Sequence, residues 1–226
     1  MVKLYFNYFE RWDDLRFGSG LELFDAFIVG VEKDCALMIK HYESSENFVV
    51  DDTWGEEEAR LIQLHGGLDD RAWDLEAVFK TYFPSLRRSS TLVMLCSFFE
   101  KELNELCVSV KRHLNFDIDF KNLQGQGVER AVSYLKLCAG VTIEQGGGPW
   151  QSAKKILDFR NALIHGGSKL KDDVATYIAD HPLLSKDGSD IIIQEGYLNE
   201  ALAAFKGSGR IIGDGLRKRF PKEESV

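Results

Sequence analysis

The sequence predicts an all-α fold, and three observations lead there. Residues 85–114 and 149–165 carry apolar side chains at the period of a helix packed on a core. Pro84, Pro149, Pro182 and Pro221 all fall at element boundaries, where a missing N–H does least harm. The glycine clusters Gly146-Gly147-Gly148 and Gly166-Gly167 flank a helical segment as a connector and a stop. The composition fits one domain, or one domain with a small extension: 226 residues, 44% hydrophobic and 28% charged, with 4 prolines. Collagen-like, mucin-like and long disordered chains are excluded. No apolar run approaches the ~18–20 residues of a membrane span. MVKLYFNYFERWDD lacks the apolar region and cleavage site of a signal peptide, so a cytoplasmic protein without membrane contact is expected.

Taken in order, residues 1–20 are aromatic-rich and ambiguous. Residues 21–43 read as a long helix despite Gly30, and residues 56–81 as two helices broken at His65-Gly66-Gly67. In residues 85–114, Leu92, Leu95, Cys96, Phe99, Leu103, Leu106, Cys107, Val110 and Leu114 fall on an arc of about 100°, the face of a core helix. The turn Gln124-Gly125-Gln126-Gly127 precedes a helix over 127–139. Pro149 opens the next, since proline suits a first helical position, and that helix runs to about His165. Residues 168–190 read as loop, Asp190–Gln194 as a short strand, and 197–206 as a last helix before a glycine-punctuated basic tail. The expected division is an N-terminal helical extension, 1–84, packed on a core domain, 85–226.

Charge and cysteine usage narrow the function. Residues 1–80 hold 18 acidic and 8 basic side chains, and residues 81–226 hold 18 and 20. A net charge of −8 argues against a protein that coats nucleic acid, but leaves room for a local phosphate site in the second part. Cys35, Cys96, Cys107 and Cys138 form no CxxC pair. Cys96 and Cys107 would lie about 16 Å apart along one helix, beyond disulfide reach. Histidines 41, 65, 113, 165 and 181 make no metal-ligand spacing with them. No metal and no cofactor are expected.

The segment 149–165 carries the chemistry. At about 100° per residue, Trp150, Ala153, Ile156, Leu157, Phe159, Leu163 and Ile164 fill one half of the helix. Gln151, Lys154, Lys155, Asp158, Asn161 and His165 fill the other. Arg160 falls on the apolar side. Its charge is permanent, so it must pair with an acid or reach a cavity that binds an anion. His165 stands at the helix C-terminus, whose dipole favours imidazolium, and can serve as a proton carrier or as a simple cap. Arg160 and His165 are about 140° apart on an ideal helix. They converge only if the last turn unwinds or a second chain completes the site.

The string Arg160-Asn161-Ala162-Leu163-Ile164-His165 resembles the signature of the HEPN superfamily, an arginine followed by a polar residue and then, four to six positions after the arginine, a histidine. The context is similar as well. The match ends an amphipathic helix, Gly166-Gly167 follow it, and a long helix containing Ser97-Phe98-Phe99-Glu100-Lys101-Glu102-Leu103 precedes it. Arg130–Leu137, before the glycine connector, also fits. The resemblance covers roughly residues 85–206. It implies a HEPN-like helical bundle and a metal-independent endoribonuclease of toxin or antiphage-defence type. Such sites form between two copies of the chain. Arg160 would bind the scissile phosphate, His165 would move the proton of the 2′-hydroxyl or leaving group, and Asn161 would orient one of them. Partners implied are RNA, a second copy, and an antitoxin or another defence-system protein. In members silenced by nucleotide transfer a tyrosine often lies two places after the histidine. Gly167 stands there, so that silencing is not expected.

Other residues support the site. Glu100, at the edge of the apolar arc of 85–114, is the candidate partner of Arg160. Arg87, Arg88 and Lys154 are weaker candidates for RNA phosphates. Arg217-Lys218-Arg219 reads as a solvated helix end. Arg60 to His65 is a second R-x4-H that lacks the asparagine and reads as a chance match. The competing reading is a catalytically silent HEPN module that binds RNA, a nucleotide or a partner protein.

Overall fold

Aromatic side chains set the first element. Trp12–Gly18 form a π-helical turn that runs directly into α1 (Ser19–Ser44). Trp12 and Phe17 stack at 5.0 Å, and Phe17 lies 5.6 Å from Phe99. Trp12, Phe17, Leu21 and Ile28 belong to the same buried cluster as the helices that follow. Of the ambiguous opening residues Phe9, Trp12 and Phe17 are therefore interior, and through them and Leu21 and Ile28 the extension shares its core with residues 85–226. The structure, a computed structural model, describes residues 9, 11–45, 47–51, 60–146, 148–165 and 171–221, apart from the side chains of Arg60 and His165.

The stretch expected as two helices over 56–81 is different. Residues 52–59 lie outside the described residues. β1 (Phe48–Asp51) pairs antiparallel with β2 (Arg60–His65), Val50 opposite Leu61, and β2 turns into β3 (Leu68–Asp69). Gly66 and Gly67 adopt φ of 56° and 83°. Two consecutive positive φ values are what a two-residue hairpin turn of type I′ requires. The glycines reverse a strand rather than break a helix. His65 is buried, packs edge-on against Phe79 at 4.4 Å and lies 2.7 Å from the Ser45 hydroxyl through Nδ1, so it is a packing residue of this hairpin.

Helix formation resumes at Leu75, where the Asp74 carboxylate accepts from the Ala77 N–H at 3.0 Å. A π turn, Val78–Tyr82, leads into α2 (Phe83–Leu114). At ~1.5 Å per residue α2 is about 48 Å long. It ends at Asn115, whose left-handed φ of 51° makes the cap that glycine or asparagine tolerates. Leu92, Leu95, Cys96, Phe99, Leu103, Leu106, Cys107 and Val110 are fully buried, so the arc read from the sequence is the axis of the core.

α3 (Gly127–Leu137) and α4 (Pro149–His165) pack on α2. The expected loop at 168–190 contains α5 (Asp172–Asp180), with Asp172 and Asp173 in its first turn and Val174 and Ile178 buried. β4 (Leu184–Asp187) and β5 (Asp190–Ile193) then form a hairpin, and β5 is the strand expected near 190–194. The last helix, α6 (Tyr197–Arg219), is twice the expected length. Glycines that read as breakers lie at close approaches: a Cβ at Gly213 would overlap the Asp13 carboxylate, and one at Gly215 the Thr142 carbonyl. Neighbouring backbone and Arg217, bonded to Asp13 at 2.7 Å, outweigh the ~1 kcal/mol each glycine costs a helix. The molecule is mostly helical with two small antiparallel sheets. Among the described residues no helix is long and apolar enough to cross a membrane.

Candidate functional site

α4 positions the motif. Pro149 opens it, and Trp150, Ala153, Ile156 and Phe159 are buried against the core, which rotates Arg160 toward α2 and leaves Asn161 exposed. The expected pairing is present: Arg160 Nη2 lies 3.4 Å from Glu100 Oε2, with side-chain exposures of 16% and 33%. The Arg160 Nε is buried and has no hydrogen-bond partner. The Cys96 thiol lies beside the guanidinium. Burial pushes that thiol up to about 12, although the arginine's charge pulls the other way.

Glu100 is itself placed by α3. Gly127, with φ of 52°, opens that helix, and a Cβ there would lie 3.2 Å from Glu100 Oε1. The carboxylate therefore sits against a helix N-terminus, where negative charge is favoured. A glycine at this position is needed twice, for the positive φ and for the approach of the carboxylate.

The other residues of the motif take other positions around α4. α4 is helical through His165, so the last turn does not unwind before the histidine. Arg160 and His165 thus keep the angular separation of about 140°. The His165 side chain and Gly166-Gly167 lie outside the described residues. Lys154 is exposed and 3.5 Å from Glu129. Asp158, which sequence reasoning did not select, shares the polar side of α4 with Asn161 and His165, at spacings of three and seven residues. Burial raises its carboxyl, Lys154 opposes this, and the Asp173 charge adds to the rise. The i, i+3, i+7 pattern was the available signal.

The two other arginines separate. Arg87 is exposed and 3.7 Å from Asp34. Arg88 is buried: its guanidinium bonds Glu32 at 2.6 and 3.0 Å and the Ile193 carbonyl at 3.2 Å. A fork spent inside the fold is not open to RNA phosphate, so Arg88 is a structural residue joining α1, α2 and β5. Among the described residues no three His, Cys, Asp or Glu side chains are grouped to hold a metal ion.

Comparisons with known proteins leave the site to stand on its geometry. No family model, curated protein or solved structure matches this chain.

Proposed function

We propose that the chain is a metal-independent endoribonuclease of HEPN type, with Arg160 and His165 at a site shared by two copies. The observation that carries this reading is the anchored arginine within the R-N-x3-H string. Arg160 is held by Glu100 at one nitrogen and its side chain stays 16% exposed, so the accessible part of the guanidinium keeps capacity for a phosphate oxygen. RNA supplies its own nucleophile. The 2′-oxygen attacks the adjacent phosphorus as His165 takes its proton. The P–O5′ bond breaks, and the leaving 5′-oxygen is protonated by a histidine of the pair. The products are a 2′,3′-cyclic phosphate and a 5′-hydroxyl. Arg160 stabilises the charge gathered on the phosphoryl oxygens, and Asn161, exposed one residue on, orients phosphate or histidine. A continuous helix that holds Arg160 and His165 apart favours a second copy as the source of the opposing group.

The decisive test incubates the protein with single-stranded RNA in EDTA and identifies the ends. Cyclic phosphate and 5′-hydroxyl ends are expected, with loss of cutting in Arg160→Ala and His165→Ala. Mixing those two variants should restore part of the activity through heterodimers. Cutting that needs a divalent metal, or 3′-hydroxyl ends, refutes the mechanism. The Glu100 pair also favours a second reading, a catalytically silent module in which Arg160 serves packing. RNA binding without cleavage by the parent chain would select it.

A further inference from the structure

α4, α5 and α6 enclose an open groove of about 480 Å³ that the Arg160 chemistry does not use. That volume falls within the ~300–1,000 Å³ of small-molecule sites. Ile156, Tyr197 and Ala204 give it an apolar lining, and all three are buried. Three polar side chains that line it come from three different helices. Lys155 of α4 is exposed, forms no ion pair among the described residues, and holds its Nζ 6.0 Å from the ring centre of Tyr177 of α5. Glu200 of α6 is the third.

Glu200 is oriented by His181. The Leu183 N–H donates to His181 Nδ1 at 3.2 Å, so the ring proton sits on Nε2, which donates to Glu200 Oε2 at 3.1 Å. The other carboxylate oxygen has no protein donor among the described residues. The Tyr177 and Tyr197 hydroxyls bond each other at 3.1 Å, and burial pushes both phenols up, which keeps them neutral. His181 packs edge-on against both rings, at 5.3 and 5.1 Å. The groove thus presents a carboxylate oriented by His181 and a Tyr177 ring with the Lys155 ammonium over it.

We propose that this groove seats a guanine nucleotide, as a base-reading subsite for the RNA strand. The assignment rests on the ribonuclease reading only for the source of the nucleotide. Its chemistry follows from donors and acceptors. A carboxylate is acceptor-only. Guanine alone offers it two adjacent donors, N1–H and the 2-amino group. Adenine and cytosine each place a ring acceptor beside their amino donor, and uracil flanks N3–H with two carbonyls. The base takes the place of the Lys155 ammonium over the Tyr177 ring, and the displaced lysine meets the phosphate as a point charge.

The test titrates the full chain with 5′-GMP, AMP, CMP and UMP by calorimetry, then compares cleavage of guanosine-containing and guanosine-free oligoribonucleotides. GMP should bind about tenfold or more tighter than AMP, the discrimination of one bidentate contact. Lys155→Ala should weaken GMP about tenfold through loss of a charged contact. Glu200→Gln, whose amide oxygen still accepts from His181, should erase the preference for GMP. Arg160→Ala should leave GMP binding unchanged. The guanosine-containing strand should be cut faster, and Glu200→Gln should level the two. Equal affinity for the four nucleotides, no GMP binding, or a preference that survives Glu200→Gln overturns the groove assignment. RNA cutting without guanosine preference then leaves the ribonuclease reading intact. GMP binding as expected with no RNA cut supports the groove, as a site for free guanine nucleotide, and refutes the ribonuclease reading.

Discussion

Replacing Glu100 with alanine tests the organisation of the site at its narrowest point. The carboxylate is the only protein acid within ion-pair distance of Arg160 among the described residues, at 3.4 Å. Its removal strands a guanidinium that is 16% exposed and already has one buried, unpartnered nitrogen. A fully buried pair broken this way costs about 3–5 kcal/mol. Glu100 is one-third exposed and the contact is long, so solvent screens it, and about 1–2 kcal/mol is the reasonable expectation. For a chain of this size ~1 kcal/mol moves Tm by about 2–4 °C, so the variant should melt about 2–8 °C below the parent. A calorimetric melt and a urea titration of the parent, Glu100→Ala, Arg160→Ala and the double variant complete a cycle. Coupling of about 1 kcal/mol is expected between the two positions. Cleavage by Glu100→Ala should fall along with stability, because an unanchored arginine no longer holds its phosphate geometry. A Glu100→Ala melt that overlays the parent, with additive single effects, would show that the pair does not anchor Arg160.

Three further outcomes follow from residues away from the motif. Arg88→Met should lose about 2–4 kcal/mol, because Glu32, only 15% exposed, is left without its fork, and RNA affinity should change only in proportion to folding; chemical denaturation alongside an RNA-binding titration checks both. Gly215→Ala should destabilise by about 1–3 kcal/mol despite alanine's better helix propensity, since its Cβ overlaps the Thr142 carbonyl, and an unchanged melt would contradict the packing of α6. His65 is held below the ordinary histidine value by burial first and by the His41 charge second. The unfolded histidine then takes up a proton at about 6.5 while the folded one does not. Its effect is nil above that pH, and stability falls as pH drops from about 6.5 toward the folded value. In His65→Gln the urea midpoint should fall less between pH 7 and pH 5 than in the parent; an identical slope would refute the linkage.

Periodicity and proline placement sufficed for α2, α3 and α4, because a helix that buries one face writes that face into its own sequence every three to four residues. The apolar arc from Leu92 to Val110, the start of α4 at Pro149 and the position of Arg160 on its buried side were all legible in this way. So was the need for an acid or an anion-binding cavity near Arg160, since a permanent charge on an apolar face demands one of them, and Glu100 stood at the right edge of α2. What pattern alone could not supply was anything decided by a distant neighbour. Gly66-Gly67 reverse a strand because Phe48–Asp51 lie alongside Arg60–His65. Gly213 and Gly215 continue a helix because Asp13 and Thr142 come too close for any side chain. Arg88 looks like a surface arginine until Glu32 and the Ile193 carbonyl close on it. The groove of Lys155, Tyr177 and Glu200 draws on three helices whose order in the chain says nothing of their contact. Local sequence determines which face of a helix is apolar; tertiary structure decides which charges, glycines and rings meet, because those contacts are made between residues far apart in the chain and their energies exceed the local preferences they override.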